Sequence, residues 1–168
     1  MYLSAINPSI TVDIPPGAAG IAYTLEVMAN MVNDEKRSPQ LRGVAAHLVE
    51  HLLSKDFTGE VLAVHQYVRD SIRYLRDVHD DETVQTPTQT LFMQAGDCDD
   101  QATLVATLLN TIGIPARFVA IGFLPDTFQH VYAEAYIDGI GWQSVETTEN
   151  VAVGWQPEGV QARMVQSI

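Results

Sequence analysis

Several things are scarce in this chain, and each shortage closes off a class. There is one cysteine in 168 residues, so no disulfide can form within the chain. Positive charge is thin: 9 Lys and Arg stand against 21 Asp and Glu, a net charge of −12. So negative a surface repels phosphate backbones and anionic headgroups, which argues against nucleic acid and against a membrane as partners. No apolar run approaches the roughly 18–20 residues of a membrane span. The opening residues, Met1 to Pro8, carry neither a basic start nor an apolar block, so no secretory signal is expected and a cytoplasmic location is.

What is present is ordinary for a globular chain: 46% apolar and 18% charged residues, in a length that suits one domain with one core. Residues 1 to about 20 read as irregular, through Pro15-Pro16-Gly17. A short helix is expected over residues 24–32, carrying Leu25, Met28, Met31 and Val32. Residues 33–37 read as a charged connector. Ser38 then caps a helix with Pro39 in its first turn, and Leu41, Val44, Ala45, Leu48 and Leu52 share one face. A second amphipathic helix is expected over residues 58–74, its inner stripe being Val61, Leu62, Val64, His65, Val68 and Ile72. Residues 77–90 have the composition of a loop.

Asp97 reads as an N-cap with Asp100 three residues on, echoing a capping box. The helix that follows is apolar nearly all round, from Ala102 to Ile112, and so belongs in the interior. Gly113 and Pro115 stop it. Strands are expected over residues 116–123, 130–137 and 142–146, with Asp138-Gly139 as a hairpin signal. Helices first and strands later make the class α+β, with a mostly antiparallel sheet.

Cys98 falls in the first turn of the buried helix, where free N–H groups and the helix dipole favour a thiolate. Asp97, Asp99 and Asp100 oppose that ionisation. A buried structural cysteine is the plain alternative. His130 opens a strand whose even positions, His130, Tyr132, Glu134 and Tyr136, form the more polar face. Glu146 is also even, so the two share a face if the register sum is even, and the acid can then orient the imidazole. A catalytic group of this kind needs the first turn of the Cys98 helix against that face.

Two other patterns compete. His47-Leu48-Val49-Glu50-His51 spells H-x-x-E-H, with two His ligands for zinc and Glu50 as base. These residues lie on the polar side of their helix, where a solvated face is the simpler account. The acids Asp77, Asp80, Asp81 and Glu82 could collect calcium but lack the spacing of an EF-hand loop.

Gly96-Asp97-Cys98-Asp99-Asp100, Gly113-Ile114-Pro115-Ala116-Arg117, His130-Val131-Tyr132 and Gly141-Trp142 through Glu146-Thr147-Thr148 together resemble the transglutaminase-like superfamily of papain-like cysteine enzymes. The likeness spans roughly residues 60 to 148. The N-terminal helices and residues 74–91 resemble phage-encoded members. The resemblance implies one domain over 1–168, with 1–57 as an N-terminal extension and about 58–150 as the catalytic core. It implies Cys98 as nucleophile, His130 as base and Glu146 as orienting acid, acting on a peptide or protein amide through a thioester without a cofactor. Gln94 and Gln129 are candidate oxyanion donors. The family usually carries Asp where this chain has Glu146. Two alternatives stand beside the enzyme: a phage or virion structural protein that keeps the fold, with phage structural proteins as partners, and a zinc metallopeptidase on His47, Glu50 and His51.

Overall fold

Asp97 starts the helix around which the rest of the chain is packed. The computed structural model describes residues 16–76 and 83–168. Among these the elements run α1 (Ala18–Glu35), α2 (Pro39–Val49), α3 (Phe57–Ser71), β1 (Arg73–Tyr74), α4 (Pro87–Met93), β2 (Ala95–Gly96), α5 (Cys98–Thr111), β3 (Ala116–Gly122), β4 (His130–Ile137), β5 (Gly141–Val145) and β6 (Ala162–Ser167). The class is α+β. At the start of α5 the Asp97 side chain accepts the Asp100 N–H while the Asp100 side chain accepts the Asp97 N–H. These reciprocal bonds satisfy donors that a helix start leaves free. Leu104, Val105, Leu108 and Leu109 are fully buried. They join the inner faces of α1, α2 and α3 to the sheet in one core.

The larger sheet has the order β5-β4-β3-β6, and every neighbouring pair is antiparallel. Val131, Ala133, Ala135 and Ile137 of β4 point into the core with α5. On the opposite face Glu134, 1% exposed, takes Arg117 at 2.6 Å and Arg163 at 3.0 Å. Arg117 also lies over the Trp142 ring, 4.1 Å from its centre. A buried carboxylate survives because two guanidiniums replace the water it has lost.

Several boundaries differ from the sequence reading. α1 is twice the expected length and takes in Asn33, Asp34 and Glu35. Charged residues on a solvent side do not end a helix, and Glu35 accepts both the N–H and the hydroxyl of Thr88 at the start of α4. Leu52 lies beyond α2, and Leu62, 39% exposed, is not part of the inner stripe of α3. α3 stops at Ser71, and Arg73–Tyr74 form a strand instead. The loop expected over 77–90 contains the start of α4, where Thr86 caps and Pro87 opens the helix. β6 adds an edge strand that the sequence pattern does not mark: its exposures alternate along the strand, but the polarity of its residues does not. The hairpin between β4 and β5 holds three residues, Asp138, Gly139 and Ile140, since Ile137 pairs with Gly141. The calcium reading of Asp77, Asp80, Asp81 and Glu82, and most of the irregular N-terminal stretch, lie outside the described residues.

Candidate active site

Two short strands deliver the chain to Cys98. β1 and β2 pair in parallel, Arg73 with Ala95 and Tyr74 with Gly96. Gly96 is required there, because a Cβ would fall 2.6 Å from Cβ of Asp100. Asp100 in turn is bonded by the Gln85 N–H at 2.6 Å and the Gln85 side-chain amide at 2.7 Å. Burial first, then the nearby Asp97 charge, pushes the Asp100 carboxyl up to about 6 against the pull of those bonds. Burial, followed by a shared hydrogen bond with Asp97, holds Asp99 well above the usual carboxylate range.

Cys98 is half-buried at the start of α5. Its sulfur faces the N–H groups of Val131 and Asp99. Burial, then the Asp99 carboxylate, pushes the thiol up to about 12, and those N–H groups offset only part of this. The expectation of a contact with β4 concerned the first turn of α5, and Cys98 there meets β4 at its start, beside His130, while the body of the helix packs elsewhere. That body lies on the odd face, with Val131 and Ala133. The thiol meets β4 through the main chain of Val131, the residue after His130.

His130 and Glu146 are brought together. The register sets Glu134 opposite Ser144 and Tyr136 opposite Trp142, so even positions share a face. Nε2 of His130 donates to Oε2 of Glu146 at 2.5 Å. The other carboxylate oxygen, Oε1, accepts the N–H and the hydroxyl of Thr148, each at 2.7 Å. Burial raises the Glu146 carboxyl, but the His130 bond and charge, with both Thr148 donors, outweigh it and hold the group below its ordinary value. With its proton on Nε2, a neutral His130 keeps its lone pair on Nδ1.

The main chain of Glu146 is held as well. His65, 2% exposed on α3, donates from Nε2 to the Glu146 carbonyl at 2.7 Å. Burial lowers this imidazole, more than its bond to that carbonyl raises it. Two clefts open beside the pair. One, of about 340 Å³, is lined by Tyr74, Ile121, Phe123, Trp155 and Pro157 around His130 and Glu146. The other, of about 420 Å³, shares Tyr74, Thr148 and Glu149 and reaches Gln101.

The remaining candidates lie as follows. Gln94 is exposed in a left-handed conformation (φ 50°) at the end of α4, and its carbonyl accepts the Arg73 N–H. Gln129 turns its side-chain oxygen to the Phe123 N–H at 3.3 Å. Nδ1 of His47 meets Glu50 at 3.0 Å with both side chains in solvent, and His51 lies past the end of α2. Among the described residues the ligand atoms that converge are those of Asp97, Asp99 and Asp100. Sequence reasoning missed Tyr74, Trp155 and the role of His65. Tyr74 sat at the end of a presumed helix, and Trp155 in a stretch without periodicity. His65 was legible as an inward residue but its partner, 81 positions away, was not.

The profile of the transglutaminase-like superfamily matches residues 44–147, and the chain belongs to that superfamily. The fold overlays on a candidate protease from Parabacteroides distasonis with a TM-score of 0.58 and 18% identity, covering 72% of this chain and 25% of that one. It also overlays on a candidate cysteine protease from Cytophaga hutchinsonii with a TM-score of 0.52 and 23% identity, covering 79% and 47%. This chain thus spans about a quarter and about half of those two proteins, and at such identities the likeness is one of fold. No curated protein matches by sequence.

Proposed function

We propose that the chain is a cysteine enzyme that cleaves or transfers an amide acyl group, with Cys98 as nucleophile, His130 as base and Glu146 as orienting acid. The observation that carries this is the 2.5 Å bond from His130 Nε2 to Glu146. It leaves Nδ1 as the basic atom on a residue whose neighbour, Val131, faces the sulfur. The thiol proton passes to Nδ1 as the sulfur attacks the amide carbonyl. A C–S bond forms, and the negative charge goes to oxygen, where N–H groups in the first turn of α5 stabilise it. Collapse breaks the C–N bond, and the amine leaves with the proton from His130. Water or an amine then attacks the thioester, giving its proton to Nδ1; the C–S bond breaks, the acid or new amide leaves, and the imidazolium returns its proton to the sulfur. Glu146 stabilises the imidazolium in both halves.

A second reading follows from the burial of the Cys98 thiol beside the Asp99 carboxylate. A thiol pushed up to about 12 is inert by itself at neutral pH, as in a chain that keeps the fold for a structural or virion role. Alkylation by iodoacetamide separates the two. If Cys98 and His130 are coupled, wild type reacts at about pH 6–7, near where a His titrates. His130→Ala then moves the reaction to alkaline pH, and Glu146→Gln moves it less. Identical pH–rate profiles for wild type and His130→Ala would establish the non-catalytic reading instead.

A further inference from the structure

Phe123, Trp155 and Tyr74 are 41%, 39% and 47% exposed, and all three line the cleft that holds His130 and Glu146. Large aromatic surface left in water marks a binding site when it converges on a concave wall. We infer that this cleft selects substrates by a large apolar or aromatic side chain next to the reacting amide, with Trp155 and Phe123 as the specificity-determining residues. The inference rests on the catalytic reading of His130 and deepens it.

Both aromatics stand on fixed supports. Trp155 belongs to the segment after β5, and Ser144 ties that segment down. The buried Ser144 hydroxyl donates to the Trp155 carbonyl, and the Ser144 carbonyl accepts the Gly154 N–H at 2.8 Å. Phe123 follows Gly122, where a Cβ would fall 1.5 Å from the Thr127 carbonyl oxygen. Only glycine lets the β3–β4 connection fold back so closely. Gln129 closes that connection through its N–H to Ile121 and its side-chain oxygen to Phe123. Walls held in this way discriminate by shape without first having to be ordered.

Charge decides which side chains are excluded. Besides His130, the charged groups among the described residues of this wall are Glu146 and Glu149; no Lys or Arg belongs to it. Glu146 is already bonded to His130 and Thr148. An acidic substrate side chain would be desolvated here without a cation and repelled by the −12 charge of the chain. A volume of about 340 Å³ lies at the small end for ligand sites, roughly 300–1,000 Å³. It suits one large side chain rather than a long segment.

The test uses N-acetyl aminoacyl chloromethyl ketones that differ only in the side chain beside the reacting carbonyl: Phe, Leu, Gly or Glu. The rate of Cys98 labelling is measured for the full chain. The Phe and Leu probes are expected to react about tenfold or more faster than Gly, and Glu slowest. In Trp155→Ala the Phe-to-Gly rate ratio should fall toward one, and Trp155→Phe should recover it. Taking the ratio within each variant removes any general loss of folding or thiol reactivity. A Phe-to-Glu ratio near one in wild type, or an unchanged Phe-to-Gly ratio in Trp155→Ala, would overturn the inference while leaving the His130 alkylation test intact. Should that alkylation show no coupling, Cys98→Ala titrated with N-acetylphenylalanine amide and N-acetylglutamate amide reads the same preference as binding. Equal binding of the two would overturn it.

Discussion

Glu146 reaches His130 from a backbone that α3 holds in place. Its carboxylate is shared between His130 on one oxygen and Thr148 on the other, and its carbonyl is fixed by His65. The residue, longer by one methylene than the Asp common in the family, is therefore held by His130 and Thr148 at its side chain and by His65 at its main chain. His65→Leu removes the donor and leaves a buried carbonyl unpaired, a loss of about 1–3 kcal/mol readable by urea unfolding. His65→Gln keeps an N–H and should recover part of it. Because burial lowers the His65 imidazole, its contribution is full above the unfolded value of about 6.5 and is lost as pH falls through the folded one. His65→Gln should flatten the stability profile in that window. An equally steep profile in the variant would show that His65 does not titrate there.

At the scale of elements, α5 and β4 set the positions of everything else. Leu108 touches no solvent, and Leu108→Ala should cost about 2–5 kcal/mol through lost transfer and a cavity. The outer face of the sheet depends on charge instead. Arg117→Ala leaves Glu134 buried with Arg163 as its remaining partner, and removes the cation over Trp142. A loss of about 3 kcal/mol is expected, at the low end for breaking a buried pair. The double variant with Glu134→Gln should be less unstable than Arg117→Ala alone, since the uncompensated charge is gone. Chemical denaturation of the single and double variants measures this, and simple additivity would contradict it.

For the whole molecule, pH acts through opposing groups. Asp100, pushed up to about 6, and Asp99, held well above its usual range, stabilise the fold most below their unfolded values near 3.9. That contribution is lost as pH rises through their folded values. His65 and Glu146 have lowered values, so their contributions are present at higher pH and lost on acidification, His65 first. The charge of −12 adds self-repulsion that proton uptake relieves. The unfolding temperature, followed across about pH 4–9 at constant ionic strength, should pass through a maximum near pH 6. A steady rise up to pH 8 would mean that the Asp97–Asp100 cluster is not strained.

Local chemistry made part of this protein legible in its sequence. The capping pairs Ser38-Pro39 and Asp97-Asp100, the all-round apolar helix after Cys98 and the alternation of β4 each depend on neighbours a few residues apart. The same signal was there to be read in Thr86-Pro87, where a Thr-rich composition obscured it; β6 carried no such signal, since Met164-Val165 and Gln166-Ser167 break any alternation of polarity. The common face of His130 and Glu146 was not local: it depended on the register of β4 and β5, which the three-residue turn fixed by pairing Ile137 with Gly141. What the tertiary structure decided depends on which surfaces meet. It set α5 on the odd face of β4 and brought Val131 to the sulfur. It set His65 against a carbonyl 81 residues away, and placed Tyr74, Phe123 and Trp155 around one cleft. Periodicity tells which side of an element is apolar. It carries no information on what that side will face, because that choice is made by packing among elements distant in sequence.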